Sequence, residues 1–150
     1  MGTQQILLIV LSVIIVGVAI AVGISMFNSQ AYNSNKTAIA SDAQSFGTQV
    51  VQYYKTPQSQ GGFGGGSATA ADGTTLILLA DSEAALFTYM GANATGEITN
   101  ENGTYTVVVT SETAVTITGV GTAEKGGTNP QIITTVALPA GTITAEAGDV

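Results

Sequence analysis

Residues 6–27 read ILLIVLSVIIVGVAIAVGISMF, an apolar run relieved only by Ser12, Gly17, Gly23 and Ser25. No residue before Lys36 carries a charged side chain. At 1.5 Å per helical residue the run spans roughly 33 Å, enough to cross a bilayer. Half of it is β-branched, which weakens helix propensity in water. In an apolar medium the backbone must satisfy its own hydrogen bonds, so helix is the forced conformation there. A cleaved secretory signal fits poorly, because no Lys or Arg precedes the run and its core exceeds the usual span of about 7 to 15 residues. Small residues recur four apart, Gly17 with Ala21, Ala19 with Gly23 and Ala21 with Ser25, a spacing that lets helices approach closely.

The run does not stop at a turn. Beyond Phe27, polar residues from Asn28 to Asn35 interleave with Tyr32, Ile39, Ala43, Phe46, Val50 and Tyr53, a one-sided helical stripe widened at its end by Val51 and Tyr54. Such a stripe packs a helix along one face of a sheet. Thr56-Pro57 ends it, since proline disfavours a helical conformation in the residue before it. One helix from about Gly2 to Tyr54 would be roughly 80 Å long. Its first half would protrude from whatever head its second half packs on.

Four segments follow: an apolar transmembrane half-helix over 1–27, an amphipathic half-helix over 28–56, a glycine-rich loop over 57–73 and a β-rich head over 74–150. The loop lacks the GK[ST] ending of a phosphate cradle, and Phe63 is its one large anchor, toward the head or a neighbouring subunit. Thr74–Leu79 is a short apolar run of strand or helix type, and Ser82–Phe87 reads as a capped short helix ending before Gly91. After it the period becomes two. Glu97–Thr99 and Thr104–Thr110 flank Asn102-Gly103, a hairpin signal, with Tyr105, Val107 and Val109 facing in. Val115 and Ile117 alternate with threonines in a strand that ends at Gly119 and Gly121, and Lys125–Pro130 is a loop by composition. Strands over Ile132–Leu138 and Thr142–Glu146 complete the head, separated by a turn at Pro139-Ala140-Gly141. The expected fold is α+β, a long N-terminal helix with a small antiparallel sheet of about four strands.

Composition narrows the chemistry. The formal charge of −7 comes from ten carboxylates against three lysines, the wrong sign for a nucleic-acid partner. There is no histidine and no cysteine, which removes the usual metal ligands, a thiol nucleophile and an imidazole base. The acidic pairs Asp81/Glu83, Glu97/Glu101 and Glu146/Asp149 lack the ordered spacing of a calcium loop and read as solvated charge. No cofactor and no enzymatic activity are expected. N-x-[ST] sequences at Asn35, Asn93 and Asn102 are candidate glycosylation acceptors, Asn102 also having a turn-forming role.

A chargeless apolar helix at the N-terminus, running from Ile6 through Gly17 into an amphipathic stripe that ends at Tyr54, resembles the type IV pilin superfamily. The likeness covers about a third of the chain in sequence and the rest in strand order. It implies a subunit held in the lipid bilayer, extracted by an inner-membrane pilus assembly machinery, and polymerised with copies of itself into an extracellular filament for adhesion, motility or surface contact. On that reading Ile6, Leu7, Ile9, Val10, Val13, Ile14, Gly17, Ala21, Gly23 and Phe27 line the filament core. Tyr32, Ile39, Ala43, Phe46, Val50 and Tyr53 hold the helix to the head, and Met1 and Gln5 dock on a neighbour. The family usually has a glutamate where this chain has Gln5, an amide that can accept a hydrogen bond from a neighbouring amine but cannot neutralise it. The basic leader and the C-terminal disulfide loop frequent in the family are also not seen here. The competing reading is a single-pass membrane-anchored protein whose outward β domain binds a partner.

Overall fold

A computed structural model describes residues 2–64 and 82–150. Helix α1 runs unbroken over Thr3–Lys55, 53 residues. No glycine or proline interrupts it between Asn28 and Phe46, where the sequence changes from apolar to polar. It stops where Pro57 forces Thr56 into an extended conformation, with the Thr56 amide and hydroxyl both donating to the Gln52 carbonyl. A short 3-10 turn, Gln58–Gln60, then brings Phe63 back under the helix end, where it is buried and stacked on Tyr54 at 5.4 Å between ring centroids. Phe63 therefore anchors its loop to the head. The expected segment Thr74–Leu79 lies outside the described residues, as do Met1 and Asp81.

Helix α2 spans Glu83–Met90 and ends at Gly91, whose left-handed φ of 74° makes the C-cap. Five strands follow: β1 Glu97–Thr99, β2 Gly103–Ser111, β3 Ala114–Gly121, β4 Pro130–Ala137 and β5 Thr142–Asp149. They form one antiparallel meander in chain order, with a bulge between Val109 and Ser111. The sheet has five strands against the expected count of about four, since each of the five runs read from the sequence pairs, three-residue β1 with Thr104–Thr106 included.

Asn102-Gly103 does not supply a two-residue turn. The Asn100 side chain accepts from the amides of Asn102 and Gly103, and Gly103 already lies in β2, where a Cβ would collide with the Val120 carbonyl. The tight turn with two left-handed residues sits instead at Gly126-Gly127, closed by the Lys125 and Thr128 backbones.

Register decides which face is covered. Val107 opposes Ile117, which opposes Thr134, and Val115 opposes Val136; with Tyr105 and Ile132 these side chains form the buried face. α1 lies over β3 and β4 on that face. Ile39, Ala43, Gly47, Val50, Tyr53 and Tyr54 pack down onto it, and Leu86, Phe87 and Met90 from α2 close one side. Phe46 is half-buried, its ring edge-on to Tyr105 at 5.0 Å.

Candidate assembly surface

The candidate surface is the half of α1 that the head leaves bare. Ile6, Leu7, Ile9, Val10, Val13, Ile14 and Phe27 are exposed by 51 to 75%. Ala21 is exposed too, and a Cβ on Gly17 or Gly23 would meet nothing within 4 Å. α1 is the one helix among the described residues long and apolar enough to cross a membrane. Gln5, of the two residues expected to dock on a neighbour, is exposed, with its amide N–H bonded to the Gly2 carbonyl.

The first buried side chain along α1 is Tyr32, so the arm leaves the head between Phe27 and Tyr32. Three residues brace the helix there. Tyr32 donates its phenol to Asp149 Oδ1 at 2.5 Å, and Lys36 Nζ reaches the same oxygen at 2.9 Å while lying 5.7 Å from the Tyr32 ring centroid. The hydrogen bond to the carboxylate, with partial burial, pushes the Tyr32 phenol up to about 12. The same bond, with Lys36, holds the Asp149 carboxyl below its ordinary value. Asn35 donates to the Asn102 carbonyl at 2.8 Å and accepts from the Ala123 amide at 3.2 Å. Two strand ends and one turn are thus tied to α1 where it emerges.

About two helical turns beyond Asn35, Asp42 collects three donors on a single oxygen: Asn102 Nδ2 at 2.8 Å, Asn100 Nδ2 at 2.9 Å and the Tyr105 hydroxyl at 2.7 Å. Those bonds, Asn102's first, hold its carboxyl below the usual carboxylate range against the opposing effect of partial burial. Burial and the facing carboxylate raise the Tyr105 phenol. The arrangement fixes the β1–β2 turn to the helix.

Of the expected head-packing set, Ile39, Ala43, Val50 and Tyr53 lie in the core and Phe46 packs against it, whereas Tyr32 is buried apart from that core, bonded to Asp149. Gly47, Asn35, Asp42 and Asp149 join the set without having been expected. A small or polar residue inside an apolar stripe looks like a gap, and Asp149, which stays exposed, is bonded by partners over a hundred residues away. Asn93 is exposed, unlike Asn35 and Asn102, which are half-buried. Among the described residues no group of three or more acidic side chains is placed to hold a metal ion. What the arrangement does offer is a large apolar surface on an unbroken helix that continues into the head.

Compared with protein-family models, curated proteins and solved structures, the chain matches none.

Proposed function

We propose that this chain is the structural subunit of a type IV pilus-like extracellular filament, held in the membrane before assembly and packed arm-to-arm with copies of itself afterwards. The observation that carries the reading is the bare arm continuous with a helix built into the head. An apolar rod of that length is not at rest in water, since burial is worth about 25 cal/mol per Å² and the arm exposes many hundreds of Å². Lipid and other arms are the two environments that cover it.

The absence of charge before Lys36 lets the arm pass between them at little electrostatic cost, which a polymerising subunit needs and a plain anchor does not. Rigidity favours the same choice. Because α1 has no hinge residue between Asn28 and Phe46 and is braced where it emerges, each head stands at a fixed angle and distance from its arm. Identical copies whose arms bundle then repeat one head-to-tail contact, and such a contact propagates into a helix. The chain on this reading is a building block with no catalytic role, taken from the inner membrane by an assembly machinery.

Electron microscopy of material sheared from cells producing the protein tests this directly. Filaments that contain this chain are the expected result. A chain that remains wholly with membranes, with no filaments, would overturn the proposal in favour of a single-pass anchor with an outward β domain.

A further inference from the structure

Transfer of a sugar to asparagine needs a side-chain nitrogen that is both reachable and uncommitted, and the three N-x-[ST] sequences differ sharply in this respect. Asn35 uses its nitrogen on the Asn102 carbonyl and its oxygen on the Ala123 amide, within the helix–sheet junction and against Gly121. Asn102 uses its nitrogen on Asp42. A glycan on either would break the ties that hold the β1–β2 turn to α1. Asn93 is exposed, just past the end of α2. Its Oδ1 accepts three hydrogen bonds, from the Thr95 amide at 3.0 Å, the Thr95 hydroxyl at 2.7 Å and the Glu97 amide at 2.9 Å. These fix the carboxamide of this exposed residue in one orientation and leave Nδ2 without a hydrogen-bond partner among the described residues.

The same three donors bear on the chemistry. When an amide nitrogen gives up a proton, negative charge builds on its oxygen, and donors already aimed at that oxygen stabilise it. We propose that Asn93 is the N-glycosylation acceptor of this chain and that Asn35 and Asn102 remain unmodified. The donor is a saccharide on a polyprenyl phosphate or pyrophosphate. Asn93 Nδ2 attacks the anomeric carbon and a C–N bond forms. The anomeric C–O bond breaks, its electron pair leaves with the lipid phosphate, and one Nδ2 proton passes to a base of the transferase. Neither oxidant nor reductant is involved. The proposal rests on the part of the functional reading that puts the head on the outer side of the membrane.

Peptide mapping by mass spectrometry of the protein from its own cells, on both sheared surface material and membranes, tests it. The expected result is glycan on the peptide containing Asn93, with the Asn35 and Asn102 peptides at their sequence masses. An unmodified Asn93 peptide, or glycan on either of the other two, overturns it. The fraction in which the chain is found reports on the filament, whereas the peptide masses report on the site, so the two readings fail separately. Thr95→Ala, which keeps Asn93 but removes the hydroxyl donor, should lose the modified peptide and Thr95→Ser should retain it. The map of the unaltered chain decides the matter even where a variant folds poorly.

Discussion

The two halves of α1 share one backbone conformation and differ in everything that surrounds it. From Thr3 to Asn28 every residue is exposed, whereas from Tyr32 to Tyr54 the helix contributes seven buried residues to the head. The packed half carries small residues, Ala40, Ala43 and Gly47, the last lying close to β4 and β5, and three of its polar residues, Asn35, Lys36 and Asp42, bond partners in the head. The bare half carries bulky β-branched side chains and no charge. One half has found its partner inside the chain and the other has not, so a substitution in the first should be read out as head stability and a substitution in the second as membrane insertion or assembly.

Val16→Lys is the strongest way to break this division. An exposed lysine on a lone helix in water would be harmless. In the middle of an apolar span it costs about 2.5 to 3.5 kcal/mol per copy on insertion scales. The expected outcome is loss of filaments and of stable membrane insertion, scored by microscopy and by fractionation, with the head still folded. Wild-type filament yield would mean that this segment is never buried.

Ile39→Ala and Ile9→Ala make the same chemical change in the two halves. Ile39 is fully buried, so its truncation should lower head stability by about 2 to 5 kcal/mol. Ile9 is exposed on the bare half of the helix, and its truncation should leave the thermal unfolding of detergent-solubilised protein where it was. Equal effects at the two sites would abolish the distinction drawn here.

Asp42→Ala strands the donors of Asn100, Asn102 and Tyr105. Because water reaches part of the site, the expected loss is about 1 kcal/mol. Its pH dependence has a defined sign. The folded-state carboxyl is held below its unfolded value, so its contribution is complete above the unfolded value near 3.8 and disappears as pH falls through the folded one. Tyr105 runs the other way: its raised phenol contributes below its ordinary value of 10.0, and that contribution is lost as pH rises. Unfolding followed against pH in the wild type and in Asp42→Ala should show the acid-side slope reduced in the variant.

Thr134→Val should move stability upward. The Thr134 hydroxyl is fully buried and has no hydrogen-bond partner among the described residues, so an isostere without it removes an unmet desolvation cost of about 1 kcal/mol. A lower unfolding midpoint in Thr134→Val would show that the hydroxyl is satisfied after all.

Much of this was legible in the residues because the governing signals are local. The 3.6-residue recurrence of Tyr32, Ile39, Ala43, Val50 and Tyr53 and the two-residue alternation around Val107, Val115 and Ile117 each place an apolar face without reference to the rest of the chain. What escaped depends on distant partners. Asp149 stays exposed as expected, but its bonds to Tyr32 and Lys36 come from residues over a hundred positions away, and Asp42 is a polar interruption until the β1–β2 turn folds over it. Asn102-Gly103 carries a turn signature, yet Asn100 takes over the turn by accepting two backbone amides, while the left-handed pair falls at Gly126-Gly127 in a segment marked only as loop.

The finest comparison replaces one glycine by alanine in each half. At Gly47 an added Cβ would lie 3.3 Å from Ile143 Cδ1 and Val136 Cγ2, so crowding against β4 and β5 should outweigh the gain in helix propensity, about 1 kcal/mol for Gly to Ala. The head's unfolding midpoint should fall slightly. At Gly17 the added methyl meets nothing, and the midpoint should not move. Small residues at four-residue spacing let apolar helices approach each other closely, so crowding at Gly17 arises only when another arm lies against it. Gly17→Ala should therefore leave the isolated subunit intact and reduce filament yield or rigidity, measured by quantitative imaging of sheared material. Unaltered filaments would move the close helix–helix contact away from Gly17, whereas a destabilised head would mean that the bare half touches it.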